Sequence, residues 1–225
     1  MQEDPSYQHI VLLRRALMVY AVIFILWGLY RLLFRFPVFI EELVFKPIIF
    51  LLPVFSVLAG EGKSWRSFAK SFGLNKQGIS LSIYYGLTLG VVYIMAVRLG
   101  GYVFSQQPTD HQFSISAAGF MNLVLLSLVT ASWEQLVFSG FLLLRFMRAL
   151  NDEWASASLS ALLFTLLHLP ILVFESHAPF VLTAIQLLLF FLVGFGNAVL
   201  MLRTRNILAP ILSHTFWAMA VGLFA

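Results

Sequence analysis

The chain has 225 residues, 60% of them hydrophobic and 23 of them Phe, with a mean hydropathy of +0.92 and a formal net charge of +4. Charged residues make up only 11%, against about a quarter in an ordinary soluble domain. This balance excludes a water-soluble core, the absence of Cys excludes disulfides and thiol nucleophiles, and the lack of a basic block excludes nucleic acid as a partner.

Long apolar stretches without strand-like alternation predict an all-α, polytopic membrane protein with seven spans, at 16–34, 44–60, 79–98, 115–146, 154–173, 179–201 and 206–224. The first run, ALMVYAVIFILWGLYRLLF, is longer than a signal-peptide core and reads as a retained span. Pro47 and Pro53 predict kinks in the second. The fourth exceeds one simple crossing, which implies strong tilt or a first section lying at the interface. Between spans 2 and 3, Trp65, Phe68 and Phe72 recur at helical spacing among Lys63, Arg66 and Lys70, so 62–75 reads as an amphipathic segment on the membrane surface. The whole of 1–225 reads as one transmembrane domain.

Basic residues set the orientation. Arg14, Arg15, Lys63, Arg66, Lys70, Lys76, Arg145, Arg148, Arg203 and Arg205 all fall on one side of a seven-span threading, which places the N-terminus in the cytoplasm. The opposite loops, 35–43, 99–113 and 174–178, hold only Arg35 besides the boundary residue Arg98. Arg31 and Arg35 sit close enough to a membrane end to snorkel. The compact chain without a targeting segment reads as a multi-pass protein of a bacterial plasma membrane.

An ionisable group inside a span is costly unless it is paired or faces water, and is a functional candidate for that reason. Three qualify: Glu134 in ASWEQLVFSG, His168 in LLFTLLHLP and His214 in LAPILSHTF. Counted from the inner ends of their spans they lie about 16, 21 and 14 Å deep, so three helices bring them to one layer. A carboxylate and a His can activate one water, and a second His can stabilise the oxyanion formed on an attacked carbonyl. The same two His and one Glu are also a possible zinc set, and a structural or transport role for buried polar groups stays open beside both. No G-x-S-x-G elbow is present, and Ser139, five residues from Glu134, faces away from it by roughly 140° on an ideal helix.

These residues also carry a family pattern. Glu134–Gln135–Leu136–Val137–Phe138–Ser139–Gly140 stands where E-E-x-x-x-R and a following Gly are expected, Phe164 to His168 forms F-x-x-x-H, and His214 to Ala218 matches H-x-x-x-N except for its last residue. Gly194, Gly196, Thr204 and Pro210 stand in order before it. Over residues 65–225 the chain resembles the CPBP intramembrane proteases, which include the type II CAAX prenyl endopeptidases and Abi-type relatives. The resemblance implies an intramembrane endopeptidase acting on a membrane-associated, sometimes lipidated, protein, without a metal cofactor. It makes Glu134 the general base, His168 its partner and His214 the oxyanion donor, with Gln135 and Phe164 in support. Gln135, Ser139 and Ala218 depart from the pattern. Asn122 and Asn197 are candidates to supply the missing amide. The departures also allow a catalytically weakened member that binds membrane segments as a scaffold or protease helper. A small-solute transporter is a third reading, without an internal repeat to support it.

The remaining polar residues are expected to be ordinary. His9, His111 and His177 read as solvent-facing, Glu41 and Glu42 as interfacial charges, and Asp152, Glu153 and Glu175 as loop residues. Gly194 and Gly196 read as close-packing positions.

Overall fold

The computed structural model describes residues 5–62, 69–70, 72–74, 76, 78–105, 116–176 and 179–224. Seven long helical runs account for most of them, and no strand occurs among the described residues. We label them α1 (Pro5–Leu33), α2 (Val38–Gly60), α3 (Ile79–Ser105), α4 (Ala117–Leu150), α5 (Glu153–Ser176), α6 (Phe180–Thr204) and α7 (Leu208–Phe224). Six are long and apolar enough to cross a membrane, and α7 is a shorter apolar helix. Helices are the expected solution, because hydrocarbon offers backbone N–H and C=O groups no partners outside the segment itself.

Boundaries differ from expectation where polar residues join the helices. The first helix begins at Pro5 rather than at 16. Residues 38–43 and 99–105, expected as loop, are helical. The amphipathic segment over 62–75 falls mainly on 63–68, 71 and 75, outside the described residues, as do His111 and His177.

Local chemistry explains the ends. Ser116 accepts from the Gly119 amide at 3.1 Å and Asp152 from the Ala155 amide at 2.8 Å, so each caps the helix that follows. Asp152 and the adjacent Glu153 therefore begin α5 rather than lying in a loop, and Glu153 pairs with Arg203 at 3.1 Å. Asn151 and Arg205 take positive φ as α4 and α6 stop.

Three helices contain π-helical turns: Glu41–Phe45 in α2, Leu136–Leu142 in α4 and Leu172–Ser176 in α5. In α2 the π turn directly precedes Lys46–Pro47, where the proline has no N–H to extend a regular ladder.

The largest core is aromatic. Tyr20, Ile23, Trp27 and Tyr30 of α1 pack with Phe50, Val54 and Leu58 of α2, Phe138, Phe141 and Phe146 of α4, and Phe164 and Leu167 of α5. The short α7 packs against α3, α4 and α6, so its residues sit inside the bundle rather than at its edge. Gly194 and Gly196 are close-packing positions, as expected. A Cβ at Gly194 would lie 2.9 Å from the Phe164 ring, and one at Gly196 would collide with the Tyr93 hydroxyl.

Candidate functional site

Glu134 and Gln135 end the regular α-helical part of α4, immediately before its π turn. Glu134 is buried, at 4% exposure, as is His214 of α7 at 3%. Oε2 of Glu134 lies 3.3 Å from Nε2 of His214 but makes no hydrogen bond of good geometry. Oε1 lies 2.8 Å from Nζ of Lys46 on α2. His168 occupies the C-terminal cap of the first segment of α5 and couples electrostatically to Glu134. Its ring stacks on Phe190 at 3.8 Å. Phe164 stands edge-on to both imidazoles, at 4.7 Å from His168 and 5.5 Å from His214, and forms the wall between them.

The hydrogen bonds define the tautomers. Gln135 Nε2 is an amide donor 2.7 Å from His214 Nδ1, which must accept, so His214 carries its proton on Nε2. Ser139 donates to Gln135 Oε1 at 2.6 Å and holds that amide in place. His168 Nδ1 donates to the Phe164 carbonyl at 2.9 Å, which leaves its Nε2 as a free lone pair. One imidazole thus presents a donor and the other an acceptor.

Ser139, expected to face away, enters this network through Gln135. Gln135 and Ser139 are four residues apart and share a helix face, so this bond is compatible with Ser139 pointing away from Glu134 itself. Gln135 and Ser139 form a neutral pair where the family pattern places Glu and Arg.

The two asparagines behave differently. Asn122 is exposed on α4, so it supplies nothing to a buried site. Asn197 is fully buried, but its Oδ1 accepts from Ser213 at 2.6 Å, which ties α6 to the residue before His214. Ala218 is half-buried one turn beyond His214 and offers no donor.

Glu41 and Glu42 require a correction. Both are buried, not interfacial, because each meets a cation inside the bundle. Glu41 bonds with Arg31 and accepts from Tyr30 at 3.3 Å, and Arg31 also pairs with Glu175 at 3.0 Å. Glu175 accordingly belongs to a π turn and an ion pair, not to a loop, and Arg31 is paired rather than snorkelling. Glu42 holds Lys46 through both oxygens, at 2.9 and 3.1 Å.

Sequence reasoning missed Lys46. Its signal is the i,i+4 spacing of Glu42 and Lys46 directly before an apolar run. The link to Glu134 is tertiary and leaves no local trace.

Among the described residues no group of three His, Cys, Asp or Glu side chains is arranged to hold a metal ion. The zinc alternative fits this donor set poorly, because an ammonium already occupies one oxygen of Glu134 and an amide occupies Nδ1 of His214.

Beside the site, α1 and α5 enclose an apolar groove of about 340 Å³ lined by Phe24, Gly28, Leu32, Leu169, Pro170 and Phe174. Its α5 wall begins with the residue after His168.

Residues 116–220, a little under half of the chain, match the family model of the Rce1-like type II CAAX prenyl endopeptidases, consistent with the CPBP/CAAX protease family. No curated protein and no solved structure matches the chain. The family match supports, at family level, a CAAX-type intramembrane protease, and with the six candidate spans it supports a multi-pass integral membrane protein. Glu134, His168 and His214 all fall inside the matched stretch, whereas α1 and α2 lie outside it.

Proposed function

We propose that this Rce1-like domain hydrolyses a peptide bond of a membrane-associated substrate with water activated between Glu134 and His168. The observation that carries the reading is the complementary set of groups around Glu134: a carboxylate oxygen without a hydrogen bond of good geometry, one imidazole with a free lone pair and one whose N–H stands 3.3 Å from that oxygen. In this scheme a water hydrogen-bonded to Glu134 Oε2 and His168 Nε2 attacks the scissile carbonyl as Glu134 takes its proton. The negative charge that develops on the carbonyl oxygen is met by the Nε2–H of His214, kept in that tautomer by Gln135. The C–N bond then breaks, Glu134 returns its proton to the leaving nitrogen, and a carboxylic acid and an amine are released. The apolar groove beside His168 suits an apolar or lipidated part of the substrate.

A positioned general base contributes about a hundred- to ten-thousandfold in rate. Termini of membrane proteins, quantified by mass spectrometry in cells carrying the native chain or Glu134→Gln at matched expression, test the scheme. New termini present only with the native chain are expected. An identical set of termini with both chains, under conditions where the protein is needed, overturns it. A non-catalytic binding scaffold is the second reading, favoured by the lack of a donor at Ala218. It requires Glu134→Gln to preserve the cellular phenotype.

A further inference from the structure

We propose that Lys46 is the positioning residue of this site: held by Glu42, its ammonium neutralises Glu134 and turns one carboxylate oxygen toward His214. The inference rests on Glu134 being the water-activating base. The family pattern carries an Arg where this chain has Ser139, so the counter-charge has to come from elsewhere. Among the described residues the other cations buried in the bundle are committed, Arg31 to Glu41 and Glu175 and Arg145 to Glu61. Lys46 is itself buried at 4% exposure, 2.8 Å from Glu134 Oε1, with the rings of Trp27 and Phe50 at 5.7 and 5.9 Å shielding it from water.

The cluster is fixed at two points. Lys46 joins α2 to α4 through Glu134, and the indole of Trp133, the residue before Glu134, donates to the Glu42 carbonyl at 2.9 Å. These contacts fix the register of α2 against α4 around the carboxylate. With Oε1 held by the ammonium, Oε2 is the oxygen left for His214 and water.

Glu42 has a distinct part. Two carboxylates on one ammonium leave one net negative charge, so the cluster offsets the burial of Glu134 without removing its capacity to accept a proton. A Lys on Glu134 alone would form a neutral pair and a weaker base. The neutral Gln135–Ser139 pair and the charged Glu42–Lys46 pair thus divide the work that the Glu–Arg pair of the family pattern would do, the first orienting His214 and the second balancing Glu134.

The test reads the charge state of Glu134 directly. Dicyclohexylcarbodiimide modifies carboxyl groups that are in the acid form in apolar surroundings, and peptide mass spectrometry locates the adduct. In purified full-length chain, Glu134 is expected to stay unmodified in the native protein and in Lys46→Arg, and to gain the adduct in Lys46→Met. Modification of Glu134 in the native chain, or its absence in Lys46→Met, overturns the proposal. Should Lys46→Met fail to fold, it is combined with Glu134→Gln and, separately, with Glu42→Gln. Recovery of the folded protein by Glu134→Gln supports the proposal, and recovery by Glu42→Gln alone sinks it. Neither arm requires proteolysis, so absence of the adduct in Lys46→Met leaves the proteolytic reading standing, and unchanged termini leave the placement of Lys46 standing.

Discussion

Ala218 lies one helical turn beyond His214 on α7, so a side chain there shares the imidazole's face. The family pattern places an Asn at this position. Loss of one oxyanion donor in a serine protease costs on the order of a hundred- to thousandfold in rate. If His214 is the surviving donor, Ala218→Asn should raise the rate at which the Glu134-dependent termini form, by up to about a hundredfold. Rates at matched expression check this, and an unchanged rate would mean that position 218 does not face the reacting carbonyl. The three ionisable groups of the site could be read from sequence, because Glu134, His168 and His214 interrupt runs of membrane hydrophobe where a charge needs a reason. Lys46 could not, since a Lys beginning an apolar run reads as a snorkelling residue until α4 is placed beside it. Glu42 was hidden in the same way. Its adjacency to Glu41 reads as a pair of interfacial charges, yet the two carboxylates serve different cations.

At the scale of elements, the π turn over Leu136–Leu142 begins directly after Gln135 and contains Ser139. Gly140 lies in that turn, where a Cβ would stand 3.0 Å from the Phe72 carbonyl oxygen and 3.2 Å from its Cα. The neighbouring backbone is held in turn, because the Gly73 carbonyl accepts from the Ile207 amide at 3.0 Å at the start of α7. Gly140→Ala therefore drives backbone against backbone and should destabilise the fold by about 1–3 kcal/mol. The measurement is the melting temperature in detergent, with Gly60→Ala as control, since a Cβ at Gly60 meets nothing within 4 Å. Gly140→Ala should melt several degrees lower and the control should not. The number and order of helices were legible because apolar length is a strong signal. The π turns were not. Neither Pro47 nor Gly140 distinguishes a π turn from a kink, and the choice is made by what packs against it.

Across the whole molecule, charge lies in three layers, and α2 or its C-terminal cap contributes to each. Arg31, Glu41 and Glu175 form one near the end of the bundle that holds Val38 and Phe180. Glu42, Lys46, Glu134 and His214 form the middle one. Arg15, Arg145 and Glu61, with ion-pair distances of 3.6 and 2.5 Å, form the third at the opposite end. Buried ions are tolerated inside a membrane protein when they pair with one another, so this column fixes α2 against α1 and α4, and α1 against α5. It does not by itself say which end faces the cytoplasm, because each layer holds both signs. The unpaired excess does. Arg14, Arg148, Arg205, Lys70 and Lys76 crowd the end with Glu61, whereas Arg35 stands at the other. By the positive-inside rule the Glu61 end is expected to be cytoplasmic. The chain has no Cys, so single cysteines report without background. Lys76→Cys and Leu150→Cys should react with a membrane-impermeant thiol reagent only from the cytoplasmic face, and Val38→Cys and Phe180→Cys only from the opposite one. All four positions are exposed, so silence at any of them would not come from burial in the bundle. Reversal of both pairs would overturn the orientation but keep the threading, since the pairs stay on opposite sides. A split within one pair would break the threading, and with it the alternation that brings Glu134, His168 and His214 to one depth.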